Sequence, residues 1–325
     1  MPSQKKKFPV VCFGSAVADI FLFSKGFKLL KTGSVDEKET AICLTYGGKV
    51  EVDSRLLVSG GGGTNTATGF ARMGLKTAVV ARMGQDPLGK AIVHELGEEK
   101  NLDIDWLATK KGDETDTSVI LVGPDGGRGI LVYRGKTRLT RADVPWSRLK
   151  ADWFYVASLE GNLELGKELF AFARKNNIKV AWNPGKKELA QGKEVFSLLS
   201  QVDVILLNEE EARSLLNVGA GNFWQQVKQI PTSITAITQG RQGVTVFADG
   251  KRFRQSIFKV PVTDETGAGD SFGCGLVTGL IKGFDIDKSI SWGLANSASV
   301  VSQIGAKAGL LTHTAVENFI SQRIK

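Results

Sequence analysis

Short apolar runs alternate with segments of helical periodicity along most of the chain. Runs of four apolar residues, at 153–156 and 204–207, have the length and composition of buried strands. Leu88, Ile92 and Leu96 recur at helical spacing and predict an amphipathic helix after the apolar run at 79–81. This alternation predicts a mostly parallel sheet with helices on both faces. The predicted strands are centred on 10–13, 79–81, 153–156, 178–182, 204–207 and 234–238.

Two regions break the alternation. Residues 40–58 carry apolar positions on either side of Tyr46-Gly47-Gly48-Lys49, and residues 117–133 do so around Pro124-Asp125-Gly126-Gly127. Turn residues between two apolar segments are typical of antiparallel hairpins. We therefore predict one hairpin in each region.

Polar residues and glycines follow several predicted strands. Ligands of parallel sheets bind at the carboxyl ends of the strands. Asn183, Asn208 and Gly240 each come just past such an end, so we expect the functional site at this edge of the sheet.

Small residues and a carboxylate stand where a helix is predicted to begin near the C-terminus. Phe272, Leu276 and Leu280 recur at helical spacing after Gly267-Ala268-Gly269-Asp270. The first N–H groups of a helix lack partners and favour an anion, and glycine lets the backbone approach it closely. Because Asp270 would repel a phosphate, it is better explained as a base for an attacking hydroxyl. An ordinary turn before a helix with an acidic first turn is the alternative.

A second glycine cluster lies far upstream at Ser59 to Gly74. Four successive glycines, Gly60 to Gly63, predict a tight loop, and a helix of small residues ending at Gly74 follows. The Asn65 amide can both donate and accept hydrogen bonds to a polyol. A flexible linker or a flat helix-packing face would give the same composition.

The two clusters together resemble the paired signatures of the ribokinase-like (PfkB) family of sugar and nucleoside kinases. The resemblance implies a single three-layer α/β/α domain over residues 1–325, with a mostly parallel central sheet. It also implies a small β-sheet lid over the substrate, formed by segments near 20–58 and 115–135, which often serves as a dimer surface. The matching segments follow the family order: Gly14–Asp19, Ser59–Gly74, Gly84–Gly89, Asn183–Gly185, Asn208–Glu211, Thr238–Gly243 and Gly267–Asp270.

The resemblance assigns the chemistry to the C-terminal element Gly267–Asp270. Asp270 would take the proton from a substrate hydroxyl that attacks the γ-phosphate of ATP. The backbone N–H groups of Gly267, Ala268 and Gly269 would hold the charge that develops on the transferred group.

On the substrate side, Asp19, Gly61 and Asn65 align with family positions that hold sugar hydroxyls. A buried Asp requires hydrogen-bond donors, which a polyol offers. Asp19 at a turn cap is the alternative.

On the nucleotide side, the resemblance implies that Asn208 and Glu211 organise Mg²⁺ around the phosphates through water. An N-cap followed by acidic first-turn residues explains the same spacing. Thr238, Gly240 and Gly243 would shape the nucleotide site, although the two glycines also fit hairpin turns.

Two further sites rest on the resemblance alone. Asn296 would lie near the adenine. Asp264 and Thr266 would help form the monovalent-cation (K⁺) site known in some family members.

Composition limits the partners. The net charge of +8 comes from scattered basic residues, without the basic helix interleaved with aromatics that a nucleic-acid surface requires, so we expect no nucleic-acid partner. Three widely spaced cysteines, Cys12, Cys43 and Cys274, favour a reducing cytoplasm. No apolar run approaches the length of a membrane span.

The expected activity is phosphorylation of an alcohol group of a sugar or sugar-like molecule with ATP and Mg²⁺. Gly62 stands where ribokinases typically carry Lys, which weakens the case for ribose. Arg134 could meet an acidic substrate, or be a solvated strand-end residue. Phe21, Phe23 or Trp182 could stack on a nucleobase, so a nucleoside kinase is the alternative. A non-catalytic sugar or nucleotide sensor is the contrasting class, and a homodimer through the lid is expected from the resemblance.

Overall fold

The structure is a computed structural model that describes residues 7–32, 39–218 and 221–323. The strands within these ranges are β1 (Phe8–Phe13), β2 (Val17–Phe23), β3 (Lys28–Thr32), β4 (Glu39–Cys43), β5 (Ser54–Gly60), β6 (Thr77–Gly84), β7 (Leu102–Asp103), β8 (Leu107–Lys110), β9 (Thr117–Val122), β10 (Arg128–Tyr133), β11 (Ala151–Val156), β12 (Lys179–Trp182), β13 (Val204–Asn208), β14 (Ile234–Thr238), β15 (Val244–Ala248) and β16 (Lys251–Gln255). The helices are α1 (Gly62–Arg72), α2 (Pro87–Gly97), α3 (Leu163–Lys175), α4 (Lys186–Leu189), α5 (Lys193–Leu198), α6 (Glu209–Leu216), α7 (Phe223–Val227), α8 (Ala268–Ile281), α9 (Ile286–Val301) and α10 (His313–Ser321).

A ten-stranded sheet forms the centre, in the order β16-β15-β14-β13-β12-β11-β1-β6-β7, with β8 also paired to β6. Its strands are parallel from β14 to β7, and the hairpins β14–β15 and β15–β16 add two antiparallel strands at one edge. The predicted, mostly parallel sheet is confirmed, and each predicted strand is present.

Both faces of the central sheet are apolar and covered by helices. Along β11, Trp153 and Tyr155 pack into one core cluster, whereas Phe154 and Val156 pack into the other. Successive side chains of a strand point to opposite faces, so an unbroken apolar run is what a sheet buried on both sides requires. This confirms the predicted arrangement of helices on both faces.

A second sheet, called here the small sheet, has the strand order β10-β9-β2-β5. The hairpin predicted at 117–133 is confirmed, since β9 and β10 pair antiparallel. The hairpin predicted at 40–58 is wrong, because β4 pairs with β3 and β5 pairs with β2. The turn itself exists, with a 2.9 Å hydrogen bond from the Gly48 N–H to the Thr45 carbonyl. Its flanking strands separate because β5 packs Val58 against the buried residues of β2 and β9.

The four glycines at 60–63 form less of a loop than predicted. Gly60 ends β5, Gly62 and Gly63 lie in the first turn of α1, and Gly61 alone connects them, with φ of 92°. A Cβ on Gly63 would lie 2.8 Å from the Gly14 carbonyl carbon, and one on Gly62 would lie 2.7 Å from Ala157 Cβ. The helix therefore starts in glycine because its backbone packs directly against the ends of the central strands.

The helix that carries Asp270 is fixed by an equally close contact. A Cβ on Gly275 of α8 would lie 2.5 Å from the Trp292 carbonyl oxygen of α9, and one on Gly293 would lie 2.8 Å from the Phe272 ring. Small residues at a helix contact let the two backbones approach. The first turn of α8 is thereby held in a defined position at the carboxyl edge of the sheet.

Candidate active site

A cleft of about 230 Å³ opens at the carboxyl ends of β12, β13 and β14, where the first turn of α8 faces them. This is the edge of the sheet at which the sequence predicts a site. The cleft is lined by Asn183, Leu206, Leu207, Asn208, Glu211, Thr238, Glu265, Gly267, Ala268, Gly269, Asp270 and Phe272.

The start of α8 has the features of an anion site. Gly267 is its N-cap, with φ of 77°, and no side chain caps the helix. A Cβ on Gly267 would lie 2.5 Å from Ala306 Cβ, so both the backbone angle and the packing require glycine. The Ala268 N–H donates to the Glu265 carbonyl at 3.2 Å, whereas the N–H groups of Gly267 and Gly269 have no hydrogen-bond acceptor among the described residues.

The Asp270 carboxylate stands in the first turn of α8. Its Oδ2 accepts a 2.9 Å hydrogen bond from Asn65 Nδ2 of α1. Burial raises the pKa of Asp270 to about 6, although the Asn65 hydrogen bond and the positive charge of Lys307 act in the opposite direction. A carboxylate with a pKa near 6 is ionised at neutral pH and is a stronger proton acceptor than an ordinary aspartate.

The three residues predicted for the substrate side lie around the junction of β2, β5 and α1. Asp19 of β2 is half-buried beside Gly60, where an added Cβ would overlap its carboxylate. Burial raises the pKa of Asp19, against a hydrogen bond with Ser118 and the charges of Lys307 and Arg134. Asn65 is 6% exposed, and its Oδ1 is buried without a hydrogen-bond partner in the described part of the chain.

On the nucleotide side, Asn208 and Glu211 form a capping box at the start of α6. The Glu211 N–H donates to Asn208 Oδ1 and the Asn208 N–H donates to Glu211 Oε2, both at 2.8 Å. The alternative given by the sequence, an N-cap with acidic first-turn residues, is therefore what the local structure contains. Both side chains nevertheless line the cleft, as does Thr238, which lies opposite Asn208 in the sheet. Burial raises the pKa of Glu211.

Three predicted nucleotide-site residues lie outside the lining of the cleft. Gly240 and Gly243, with φ of 52° and 93°, form the turn between β14 and β15. Asn296 is fully buried: its Nδ2 donates to the Ser271 carbonyl at 2.8 Å, and its Oδ1 accepts from the Leu311 N–H at 3.0 Å. The hairpin-turn alternative describes the two glycines, and Asn296 offers no free polar atom for an adenine.

The predicted monovalent-cation position is already filled by protein groups. The buried Asp264 carboxylate pairs with the Arg128 guanidinium of β10. It also accepts 2.8 Å hydrogen bonds from the N–H groups of Thr266 and Gly305. Burial alone would raise the pKa of Asp264, but these hydrogen bonds and the Arg128 charge lower it. The set does not fit an added cation.

Two charged residues at the site are not predicted by any motif of the sequence. Lys307 is 6% exposed, contacts Ser59 Oγ, and lies 3.6 Å from Glu95 Oε1. Burial lowers the pKa of Lys307 to about 8. Arg128 is the other residue. Neither belongs to a spaced motif, although a lysine among the small residues of Gly305-Ala306-Lys307-Ala308-Gly309 is a weak sign of burial.

No group of three or more His, Cys, Asp or Glu side chains suited to a metal ion occurs in the described ranges. A divalent ion in this cleft would therefore be held mainly by ligand phosphates and water, with Glu211 as the nearby carboxylate. The search for long apolar helices, within the same residues, gives none that could cross a membrane.

The fold and the cleft define a ribokinase-like α/β protein. The structure matches that of Arabidopsis thaliana ribokinase complexed with ribose and ATP, with a TM-score of 0.80, 20% identity and coverage of 97% of this chain and 99% of that one. It also matches a candidate ribokinase II from Escherichia coli in complex with ATP and Mg²⁺, with a TM-score of 0.79, 17% identity and coverage of 97% and 99%.

The sequence identifies the family. Residues 8–313 match the model of the pfkB family carbohydrate kinases, and the chain belongs to this family. It is 30% identical over 271 residues to a ribokinase of Haemophilus influenzae, covering 80% of this chain and 87% of that protein. It is also 25% identical over 272 residues to a nucleoside kinase of Methanocaldococcus jannaschii, covering 81% and 85%. The predicted family is thus confirmed.

The raised pKa of Asp270 predicts a pH-dependent effect of Asp270→Asn on stability. The folded-state pKa of about 6 lies above the ordinary aspartate value of 3.8, so ionisation of this carboxyl costs stability, and the cost builds up as the pH rises from about 4 to about 6. Asp270→Asn removes that cost and keeps an acceptor for Asn65. We expect its Tm to exceed that of the wild type by roughly 2–4 °C at pH 8.

Calorimetry of both proteins from pH 4 to pH 8 measures this difference. It should disappear near pH 4, where the wild-type carboxyl is protonated. A variant that is less stable than the wild type at pH 8 would contradict the assigned environment of Asp270.

Proposed function

We propose that this protein transfers the γ-phosphate of ATP to a hydroxyl group of a sugar or sugar-like molecule. The observation that carries the proposal is the first turn of α8, where the Asp270 carboxylate stands beside N–H groups of Gly267 and Gly269 that have no acceptor in the described part of the chain. A base and an anion site on the same helical turn suit a reaction in which a hydroxyl loses a proton while attacking a phosphate.

Asp270 would accept the proton of the attacking hydroxyl. Its pKa of about 6 leaves it ionised at neutral pH yet more basic than an exposed aspartate. The N–H groups at Gly267 and Gly269 would bind the oxygens of the transferred group, on which negative charge is spread. Positioning and charge stabilisation account for most of the catalysis in phosphoryl transfer, and both are provided by backbone that glycine keeps in place.

Sugar binding is supported by Asn65. Its amide nitrogen donates one hydrogen bond to Asp270, and its buried Oδ1 has no protein partner in the described ranges. Leaving a buried acceptor unpaired costs about 1–3 kcal/mol, which a substrate hydroxyl would recover. A hydroxyl that donates to Asn65 would also lie next to Asp270. Asp19 and Gly61, at the same junction, are proposed to hold further hydroxyls.

For the nucleotide, we propose that ATP phosphates enter the cleft between α8 and α6, with Thr238 beside them. The fit to Mg²⁺ rests on Glu211, whose Oε2 is used by the capping box while its other oxygen has no hydrogen bond within the described residues. Mg²⁺ usually keeps several waters and takes few protein carboxylates. When bound, it would neutralise phosphate charge, and Glu211 would orient its water ligands.

A sugar substrate is favoured over a nucleoside by the positions of the aromatic residues. Phe21 and Trp182, which the sequence offers as stacking partners for a base, are each 1% exposed and pack in core clusters. Phe23 stacks on Phe21, with ring centroids 6.3 Å apart. The similarity to a nucleoside kinase keeps nucleosides as the second candidate.

We also propose that the small sheet acts as a lid and as a dimer surface. Its edge strand β10 exposes Ile130, Leu131 and Val132 by 57%, 62% and 55%. An edge strand with a contiguous apolar surface is a typical interaction site.

A cytoplasmic location, expected from the cysteines, stays a prediction. Cys12, Cys43 and Cys274 are all free thiols.

The function is tested by ADP release with ATP and Mg²⁺ across ribose, fructose, deoxy sugar acids, sugar phosphates, adenosine, cytidine and inosine. Asp270→Asn serves as the matched control because the side chain keeps its size and an acceptor for Asn65. We expect one sugar-like compound to stimulate release, and Asp270→Asn to lower kcat about 10²–10⁴-fold. Near-full turnover by the folded variant would exclude Asp270 as the base. No stimulation by any compound, with ATP still bound, would favour a sensor.

The Mg²⁺ assignment predicts a change in metal requirement for Glu211→Gln. The amide can still accept from the Asn208 N–H, so the capping box persists while the charge is lost. We expect the Mg²⁺ concentration for half-maximal activity to rise about 10-fold, as for other residues that orient metal ligands. Titration of Mg²⁺ at fixed ATP measures this, with the exposed neighbour Glu210→Gln as control. Equal Mg²⁺ requirements for the two variants would remove Glu211 from this role.

The dimer surface predicts a change of mass for Leu131→Glu. A charge on the apolar edge of β10 would be desolvated in a dimer. Light scattering should give about twice 35.0 kDa for the wild type and the monomer mass for the variant. Phe196→Glu, at an exposed apolar residue away from the small sheet, should leave the dimer intact. A monomeric wild type would exclude the proposal.

A further inference from the structure

Three separate segments meet at the Asp264 carboxylate. The Thr266 N–H binds its Oδ1 and belongs to the segment that leads into the anion site. The Gly305 N–H binds its Oδ2 and belongs to the loop after α9. The third partner, Arg128, is the first residue of β10 and comes from the small sheet.

The junction lies directly behind the anion site. Gly267 packs against Ala306, the residue after Gly305, so closely that a Cβ on Gly267 would lie 2.5 Å from Ala306 Cβ. The position of Asp264 therefore fixes the Gly305 loop, and that loop supports the backbone turn whose N–H groups face the cleft. A change in charge balance at Asp264 would be transmitted to the anion site through this short contact.

Arg128 is bound as a built-in cation. Its Nη1 pairs with Asp264 Oδ1, and its Nη2 donates to the Thr263 carbonyl at 2.6 Å. The Arg128 side chain is 18% exposed and the Asp264 side chain is fully buried. A buried carboxylate without a counter-charge is costly, whereas one with a guanidinium and backbone donors is satisfied.

The same contact links the small sheet to the anion site. Next to it, Ile304 of the Gly305 loop packs against Phe21, Ile120 and Val122 of the small sheet. The guanidinium thus comes from the small sheet, and its acceptors, on Asp264 and Thr263, come from the segment that leads into α8.

We propose that Arg128 takes the place of a monovalent cation at Asp264, so that phosphoryl transfer by this protein needs no K⁺ and depends instead on the docking of the small sheet. Arg128 is a positioning residue: it holds Asp264, and through the Gly305 loop it holds the turn at Gly267. The inference rests on the proposed kinase function for its activity readout. Its second readout, cation binding, does not depend on turnover.

The test compares the wild type with Arg128→Met, which keeps the apolar stem and removes the charge, and Arg128→Lys, which keeps a charge. Arg55→Met, at an exposed arginine of the same sheet, is the matched control. Each protein is assayed for Tm and for ADP release in KCl and in tetramethylammonium chloride at equal ionic strength. Guanidinium chloride at low millimolar concentration is added in a further arm.

The wild type and Arg55→Met should give the same Tm, within about 1 °C, and the same turnover, within about twofold, in both salts. Arg128→Met should lose about 10-fold or more in turnover in tetramethylammonium chloride, because the anion turn loses its support. KCl or guanidinium should restore part of that turnover and raise the Tm in a saturating manner. Arg128→Lys should retain most of the activity.

A wild type that requires K⁺ for turnover, or gains Tm with it, would overturn the proposal. So would an Arg128→Met protein that behaves as Arg55→Met does in every salt. If no sugar stimulates ADP release, the proposed function fails, and the Tm comparison still decides whether Arg128 occupies the cation position. If Arg128→Met does not fold, the wild-type salt comparison and Arg128→Lys decide it.

Discussion

The hydrogen bond from Asn65 Nδ2 to Asp270 Oδ2 joins the starts of two helices that are 205 residues apart in sequence. Each start is built from glycines that allow backbone contacts no other residue would permit. Gly62 and Gly63 bring α1 against Gly14 and Ala157. On the other side, Gly267 packs on Ala306, and Gly275 presses α8 against α9. Without these approaches the two side chains would not meet, and the proposed substrate site and the proposed phosphate site would be separate.

The arrangement has an energetic cost that the rest of the fold must carry. Asp270 is kept ionised although burial raises its pKa to about 6, and Asn65 Oδ1 is buried without a hydrogen-bond partner among the residues that the structure describes. Lys307 stands as a mostly buried cation whose pKa burial lowers to about 8. Strained or uncompensated polar groups of this kind concentrate where a ligand completes them. The two apolar clusters on the faces of the central sheet supply the stability that offsets the cost of these buried polar groups.

Local signals in the sequence were sufficient for six strands of the central sheet, for α8 and for the place of Asp270 in its first turn, because apolar periodicity and glycine content are properties of neighbouring residues. The 40–58 hairpin was predicted wrongly because β5 finds its partner in β2, a pairing decided by burial of Val58 and not by the turn at Gly48. The sequence predicts a loop at Gly62 and Gly63 because glycine disfavours a helix locally. Their place in α1 depends on tertiary contacts with Ala157 and Gly14, which local composition does not reveal. Arg128 and Lys307 could not be found, since their partners Asp264 and Ser59 lie 136 and 248 residues away.

The pH dependence of kcat/KM tests the central claim most directly, because it reports the pKa of the essential base in the free enzyme. With the sugar that stimulates ADP release, log kcat/KM should be level above about pH 7 and fall about tenfold per pH unit below the Asp270 pKa of about 6. The residual activity of Asp270→Asn should lack this fall. A wild-type profile that stays level down to about pH 5, or a variant that keeps the same fall, would show that another group accepts the proton.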